Sequence, residues 1–152
     1  IPNRYWVTFR GRALDTYAPY MKVESVDRII SSNRGPCNDL FDTSHFHIDV
    51  YGNYIPGLCT GLSLDHEDLG KPVDPETYPF LYALMTGGIG DLLAMAEEQY
   101  GFRHENDLNT ASEVNDSYVS KCQLCYRIRR FLVIERNVDS PDLQPIQYYK
   151  VE

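Results

Sequence analysis

Apolar and polar positions alternate from Tyr5 to Arg10: Tyr5, Val7 and Phe9 share one face and Trp6, Thr8 and Arg10 the other. A period of two predicts a strand, and Gly11 ends it before the chain turns through Arg12, Ala13 and Leu14. Val26, Ile29 and Ile30 fall at helical spacing, a weak amphipathic helix before the Ser31 to Pro36 loop that delivers Cys37. From Ser44 the period returns to two. His45, His47, Asp49 and Tyr51 lie on one face, Phe46, Ile48 and Val50 on the other, and Gly52-Asn53 predicts a tight hairpin turn into Tyr54-Ile55. Pro56 and Gly57 interrupt ladder pairing, so Cys59 stands at the end of the returning strand with its backbone released to aim the thiol inward.

The second half of the chain is helical in pattern. Asp74-Pro75 supplies an N-cap and a first helical residue, and Tyr78, Leu81, Tyr82 and Met85 then recur at i, i+3, i+4 and i+7 until Gly87-Gly88. Ile89, Leu92, Leu93, Ala96 and Tyr100 predict a second helix that Gly101 closes. Residues 102–119 are polar and aperiodic, which predicts a surface connection. A third helix opens at Cys122, with Leu124, Ile128, Phe131 and Leu132 on its apolar stripe and Arg127, Arg129 and Arg130 expected on an exposed basic face. Residues 139–152, with Pro141 and Pro145, read as a tail. The order of elements predicts an α+β fold, a small antiparallel hairpin or sheet packed with about three helices.

Composition narrows the function classes. The 152 residues are 43% hydrophobic, a length and content suited to a single domain spanning 1–152. Fourteen Lys and Arg against 22 Asp and Glu leave a net charge of -8, which speaks against a nucleic-acid binder. No apolar run approaches the roughly 20 residues of a membrane span, so neither nucleic acid nor membrane is expected as a partner, and a cytoplasmic location is. The chain opens on Ile1 and its first residues carry no signal-peptide core, which predicts a piece cut from a longer polypeptide, and the resemblance described below makes that piece its C-terminal fragment.

Cys37, Cys59, Cys122 and Cys125 carry the candidate chemistry. Four cysteines are too few for a disulfide scaffold of this length, although two disulfides remain compatible with the count. Cys122-Gln-Leu-Cys125 is a C-x-x-C unit at the expected start of a helix, where backbone N–H groups and the positive end of the dipole favour thiolates. Four thiolates satisfy a tetrahedral zinc or a cubane cluster, and the spacing of 21, 62 and two intervening residues is not that of a zinc ribbon. Metal or cluster ligation therefore ranks above disulfides, with buried thiols as the plainest alternative. His45, His47 and Asp49 read as a solvated strand face, at most orienting toward such a centre, and His66-Glu67-Asp68 as a solvated loop. The Asn115-Asp116-Ser117 sequon carries little weight without a secretory signal. A hydrolase or transferase finds little support: there is no phosphate loop, H-E-x-x-H element or Ser/His/Asp order, and Cys59 beside the strand histidines is the lone candidate nucleophile.

Cys37-Asn-Asp-Leu, then His45-Phe-His-Ile-Asp-Val-Tyr-Gly-Asn-Tyr-Ile-Pro-Gly-Leu-Cys59, then a distant C-x-x-C, resembles the C-terminal auxiliary-cluster domain of radical S-adenosylmethionine proteins, the SPASM or twitch region. Phe9-Arg10-Gly11-Arg12-Ala13 is similar to the segment that often precedes it. The resemblance covers roughly residues 5–60 and 120–132, under a motif of moderate specificity. It implies that Cys37, Cys59, Cys122 and Cys125 ligate one auxiliary 4Fe-4S cluster, with zinc in the same cage as the alternative of a structural or protein-interaction domain without redox role. A full SPASM domain holds two clusters on seven cysteines; four here imply one, as in the shorter twitch form. Six residues between Gly52 and Cys59, where the family usually has about four, imply an inserted bend at Pro56-Gly57. No C-x-x-x-C-x-x-C is present, so S-adenosylmethionine cleavage is expected only in an upstream barrel of the same polypeptide. The implied role is to position substrate, a peptide or protein in many relatives of this kind, or to relay an electron beside that barrel.

Overall fold

A computed structural model describes residues 12–41, 46–103 and 117–150. The strand expected at Tyr5 to Arg10 lies outside the described residues, as does His45. The architecture is α+β, with helices packed against two small antiparallel sheets.

Helix α1 (Arg12–Tyr17) occupies part of the stretch expected only to turn. A short strand β1 (Glu24–Ser25) then leads into α2 (Val26–Ser32), whose start is capped by the Ser25 hydroxyl and whose inner face is Val26 and Ile29. The hairpin is present as β2 (His47–Ile48) and β3 (Asn53–Ile55), paired His47 to Ile55 and Ile48 to Tyr54. Its turn lies at Asp49 to Gly52 rather than at Gly52-Asn53. The Asp49 carboxylate decides this, because it accepts from the Tyr51 and Asn53 N–H groups and from Asn53 Nδ2 within 3.0 Å. A third strand, β4 (Leu64–Asp65), pairs with β3 and was not legible in the sequence, two residues being too short to show a period. The aliphatic face of the hairpin is open: Phe46, Ile48 and Val50 are all exposed.

Helix α3 (Pro79–Thr86) begins later than the expected Asp74-Pro75. Asp74 caps a turn instead, accepting from Glu76 N, Thr77 N and the Thr77 hydroxyl. The true cap of α3 comes from far along the chain, where Asp142 Oδ2 accepts from the N–H groups of Phe80 and Leu81, both at 2.8 Å. The buried stripe moves with the start: Phe80, Leu81, Ala83 and Leu84 are inside and Tyr82 faces out. Helix α4 (Ile89–Tyr100) follows its predicted pattern, ending at Gly101 in the left-handed conformation. Phe102 is buried, and β5 (Ser117–Tyr118) pairs with β1, so the two described ends of the polar connection are structured.

Helix α5 (Lys121–Ile134) packs along α4, and Leu92, Ala96, Leu124, Ile128 and Leu132 on the two helices are wholly inaccessible. Each such buried leucine contributes about 1.5–3 kcal/mol relative to exposure. The expected tail is part of this core. Asp142, Leu143 and Tyr149 are 0% exposed, because the segment folds back over α3 and α5 and the prolines merely shape its 3-10 turns.

Candidate functional site

The four cysteines arrive from three separate segments. Cys37 sits at the end of the α2 loop, with its N–H donating to the Leu84 carbonyl near the C-terminus of α3 at 2.9 Å. Gly88 takes a φ of 77° where α3 meets α4, and a Cβ there would collide with the Gly35 carbonyl, so only glycine lets this loop lie on the helix junction. Cys59 follows the 3-10 turn Pro56–Leu58, which ends the returning strand as the sequence implied. Gly57 in that turn, at a φ of 56°, allows the backbone to close on residue 39; a Cβ would strike the Asp39 carbonyl. The segments bearing Cys37 and Cys59 are thereby drawn side by side.

Cys122 and Cys125 lie in the first turn of α5. Ser120 caps it, accepting from Gln123 N, and the Gln123 side chain reaches back to accept from Val119 N at 2.7 Å. This Ser-x-x-Gln signature was present in the sequence and marks the helix start that presents both thiols. None of the four is in a disulfide, all are partly buried, and all four line one pocket, together with Asp39, Lys121, Thr60 and Arg129 over an apolar floor that includes Leu62, Leu84 and Ile89.

Three of the polar residues were not singled out as part of a site by sequence reasoning. Lys121 Nζ pairs with Asp39 Oδ2 at 2.8 Å and lies 3.8 Å from Cys37 Sγ, with Asp39 Oδ2 itself 3.9 Å from that sulfur. Burial pushes the Cys37 thiol up, with Asp39 and Cys125 adding to it and Lys121 opposing. Lys121 is held above its usual value: burial works against its charge, and Asp39, Cys37 and Cys122 outweigh it. Arg129 corrects the expectation of an exposed basic face, being only 4% exposed. It follows Cys125 by four residues and Cys122 by seven, so helical geometry turns it to the same side as the thiols. That spacing was the available signal.

Four thiols facing one pocket, flanked by two cations, form a soft, anion-tolerant donor set. Among the described residues, no group of three or more His, Cys, Asp or Glu side chains is arranged to hold a single metal ion. Among the described residues no histidine lines the pocket; His47 is exposed, and the Cys59 sulfur lies 3.6 Å from the Gly57 carbonyl. His66 to Asp68 form a 3-10 turn outside the thiol pocket, with His66 and Glu67 exposed and half-buried Asp68 accepting from the Tyr78 hydroxyl. Among the described residues no helix is long and apolar enough to cross a membrane. Comparison with family models, with curated proteins and with solved structures finds no match to this chain.

Proposed function

We propose that the chain binds one auxiliary 4Fe-4S cluster through Cys37, Cys59, Cys122 and Cys125, and that it serves as the C-terminal cluster domain of a radical S-adenosylmethionine protein. The observation that carries this reading is the convergence of the four thiols, from three distant segments, on one pocket. Two further points support it. Cys59 follows the turn that ends the hairpin, and Cys122 and Cys125 open a helix capped by Ser120, so each thiol is held by defined backbone. Lys121 and Arg129 also line the pocket, two cations suited to a site that becomes anionic when its thiols are engaged.

When bound, such a cluster supplies reversible storage of one electron. The chain's own residues hold it: the Gly57 and Gly88 backbones fix Cys59 and Cys37, and the capped start of α5 presents the other two. With every cysteine engaged, no iron position is left open for direct ligation of substrate, so the role beside an upstream barrel is positioning of substrate or passage of single electrons between donor and acceptor. The peptide or protein character of that substrate belongs to the same proposal.

The test is iron, sulfide and zinc content with an absorbance spectrum, on chain purified and reconstituted without oxygen. The expected result is about four irons and four sulfides per chain with broad absorbance near roughly 400 nm. One tightly held zinc that iron does not displace would replace this reading with a structural or protein-interaction domain. Cys122→Ser is expected to abolish the brown colour, and an unchanged spectrum would remove that residue from the ligand set.

A further inference from the structure

Arg129 is a buried cation without a carboxylate. Its Nη1 donates to the Thr60 carbonyl at 3.1 Å and to the Tyr149 hydroxyl at 3.0 Å, while its Nε is buried and donates to nothing. Among the described residues no Asp or Glu pairs with it. The other cation at the pocket, Lys121, is partly exposed and has Asp39 at 2.8 Å. Taking a guanidinium out of water is unfavourable unless an anion compensates it. Arg129 lines the same pocket as the four thiols, and its ionisable neighbours include Tyr149, Cys125, Cys59 and Tyr148. Tyrosine hydroxyls are neutral near pH 7. That leaves the thiols, which become anions when a metal takes their protons. Four thiolates around a dicationic core leave a dianion, and one-electron reduction makes it a trianion.

We propose that Arg129 is the internal counter-cation of the thiolate centre, stabilising the anion that Cys37, Cys59, Cys122 and Cys125 form on binding and raising its reduction potential. This rests on the cluster reading above. The cation stabilises the reduced centre more than the oxidised one, because the reduced centre carries the larger negative charge. It also explains why the charge is kept inside: without the centre it is a cost, and with it a gain.

The experiment compares wild type, Arg129→Met and Arg129→Lys, each unloaded and each loaded with iron and sulfide without oxygen. Unloaded, Arg129→Met is expected to melt close to wild type, since removing an uncompensated buried charge offsets the loss of the hydrogen bonds to Thr60 and Tyr149. Loaded, its one-electron equilibrium is expected to shift about tenfold toward the oxidised form, a potential about 59 mV more negative. With zinc as the probe, its affinity is expected to fall about 10- to 100-fold. Arg129→Lys is expected to recover most of the potential. An Arg129→Met chain that melts lower by the same amount in both states, or does not fold in either, would assign Arg129 to the Thr60 and Tyr149 hydrogen bonds alone and overturn the proposal. An unchanged potential in a folded, loaded variant would overturn it too. Wild type that takes up neither iron nor zinc would remove the cluster reading itself, a different failure visible before any variant is made.

Discussion

The two sides of helix α5 are finished to different degrees. Toward α4, Leu124, Ile128 and Leu132 meet Leu92 and Ala96 with no accessible surface left. Toward the Cys37 and Cys59 loops, Cys122 and Cys125 remain partly open, and Arg129 brings a buried charge that no carboxylate among the described residues answers. The apolar side needs nothing beyond the chain: its contacts are dispersion and burial, and they are complete. The thiol side gathers polar groups at a cost in desolvation that its own hydrogen bonds only partly offset. A fold that tolerates such a side is held up by the other one.

The contrast predicts where stability will depend on metal and where it will not. Ile128→Ala is expected to cost about 2–5 kcal/mol by leaving a cavity between α4 and α5, equally with and without metal, as read from denaturant melts. A cost that vanished on loading would erase the distinction between the two sides. Asp142→Ala is expected to cost about 1.5–3 kcal/mol in both states, because the Phe80 and Leu81 N–H groups and the Ser140 hydroxyl lose a buried charged acceptor. Cys122→Ser should move the unloaded melt by less than about 1 kcal/mol, since the thiol is only partly buried and completes no core contact there. An unloaded chain that unfolds on this change would make the thiol side structural in its own right.

The smallest expected effect concerns the hairpin turn, whose residues line no part of the thiol pocket. Burial opposes ionisation of Asp49, but the Asn53 side chain and the Asn53, Tyr51 and Gly52 N–H groups overcome it and hold the carboxyl below its ordinary value. A lowered folded value means that the turn's stabilisation is fully present above the ordinary carboxylate range near about 3.9 and is lost as pH falls through the folded value. Amide shifts of Tyr51 and Asn53 followed against pH should report that midpoint. A midpoint at or above the ordinary value would show that the carboxylate does not organise the turn.

Where the hydrophobic period was long and local, the sequence was readable. Ile89 to Tyr100 with Gly101, the α5 stripe through Leu124, Ile128 and Leu132, and the hairpin between Cys37 and Cys59 all stand close to where their patterns put them. The late start of α3 was not readable, because the carboxylate that caps it is Asp142, some sixty residues away, while Asp74 offered a plausible local cap. Nor was the fate of residues 139–150, whose prolines look like a tail until Leu143 and Tyr149 are seen filling the core.

The sequence by itself determined the donor types, the C-x-x-C at a capped helix start and the glycines that permit the turns near Cys37 and Cys59. These follow from residue chemistry and from spacing within a few turns of backbone. Only the tertiary structure decided that four thiols from three segments share one pocket, and that one of three neighbouring arginines is inside it while Lys121 is tied to Asp39 at its edge. Burial and charge compensation depend on what packs across a helix from elsewhere in the chain, and a one-dimensional pattern carries no record of that distance.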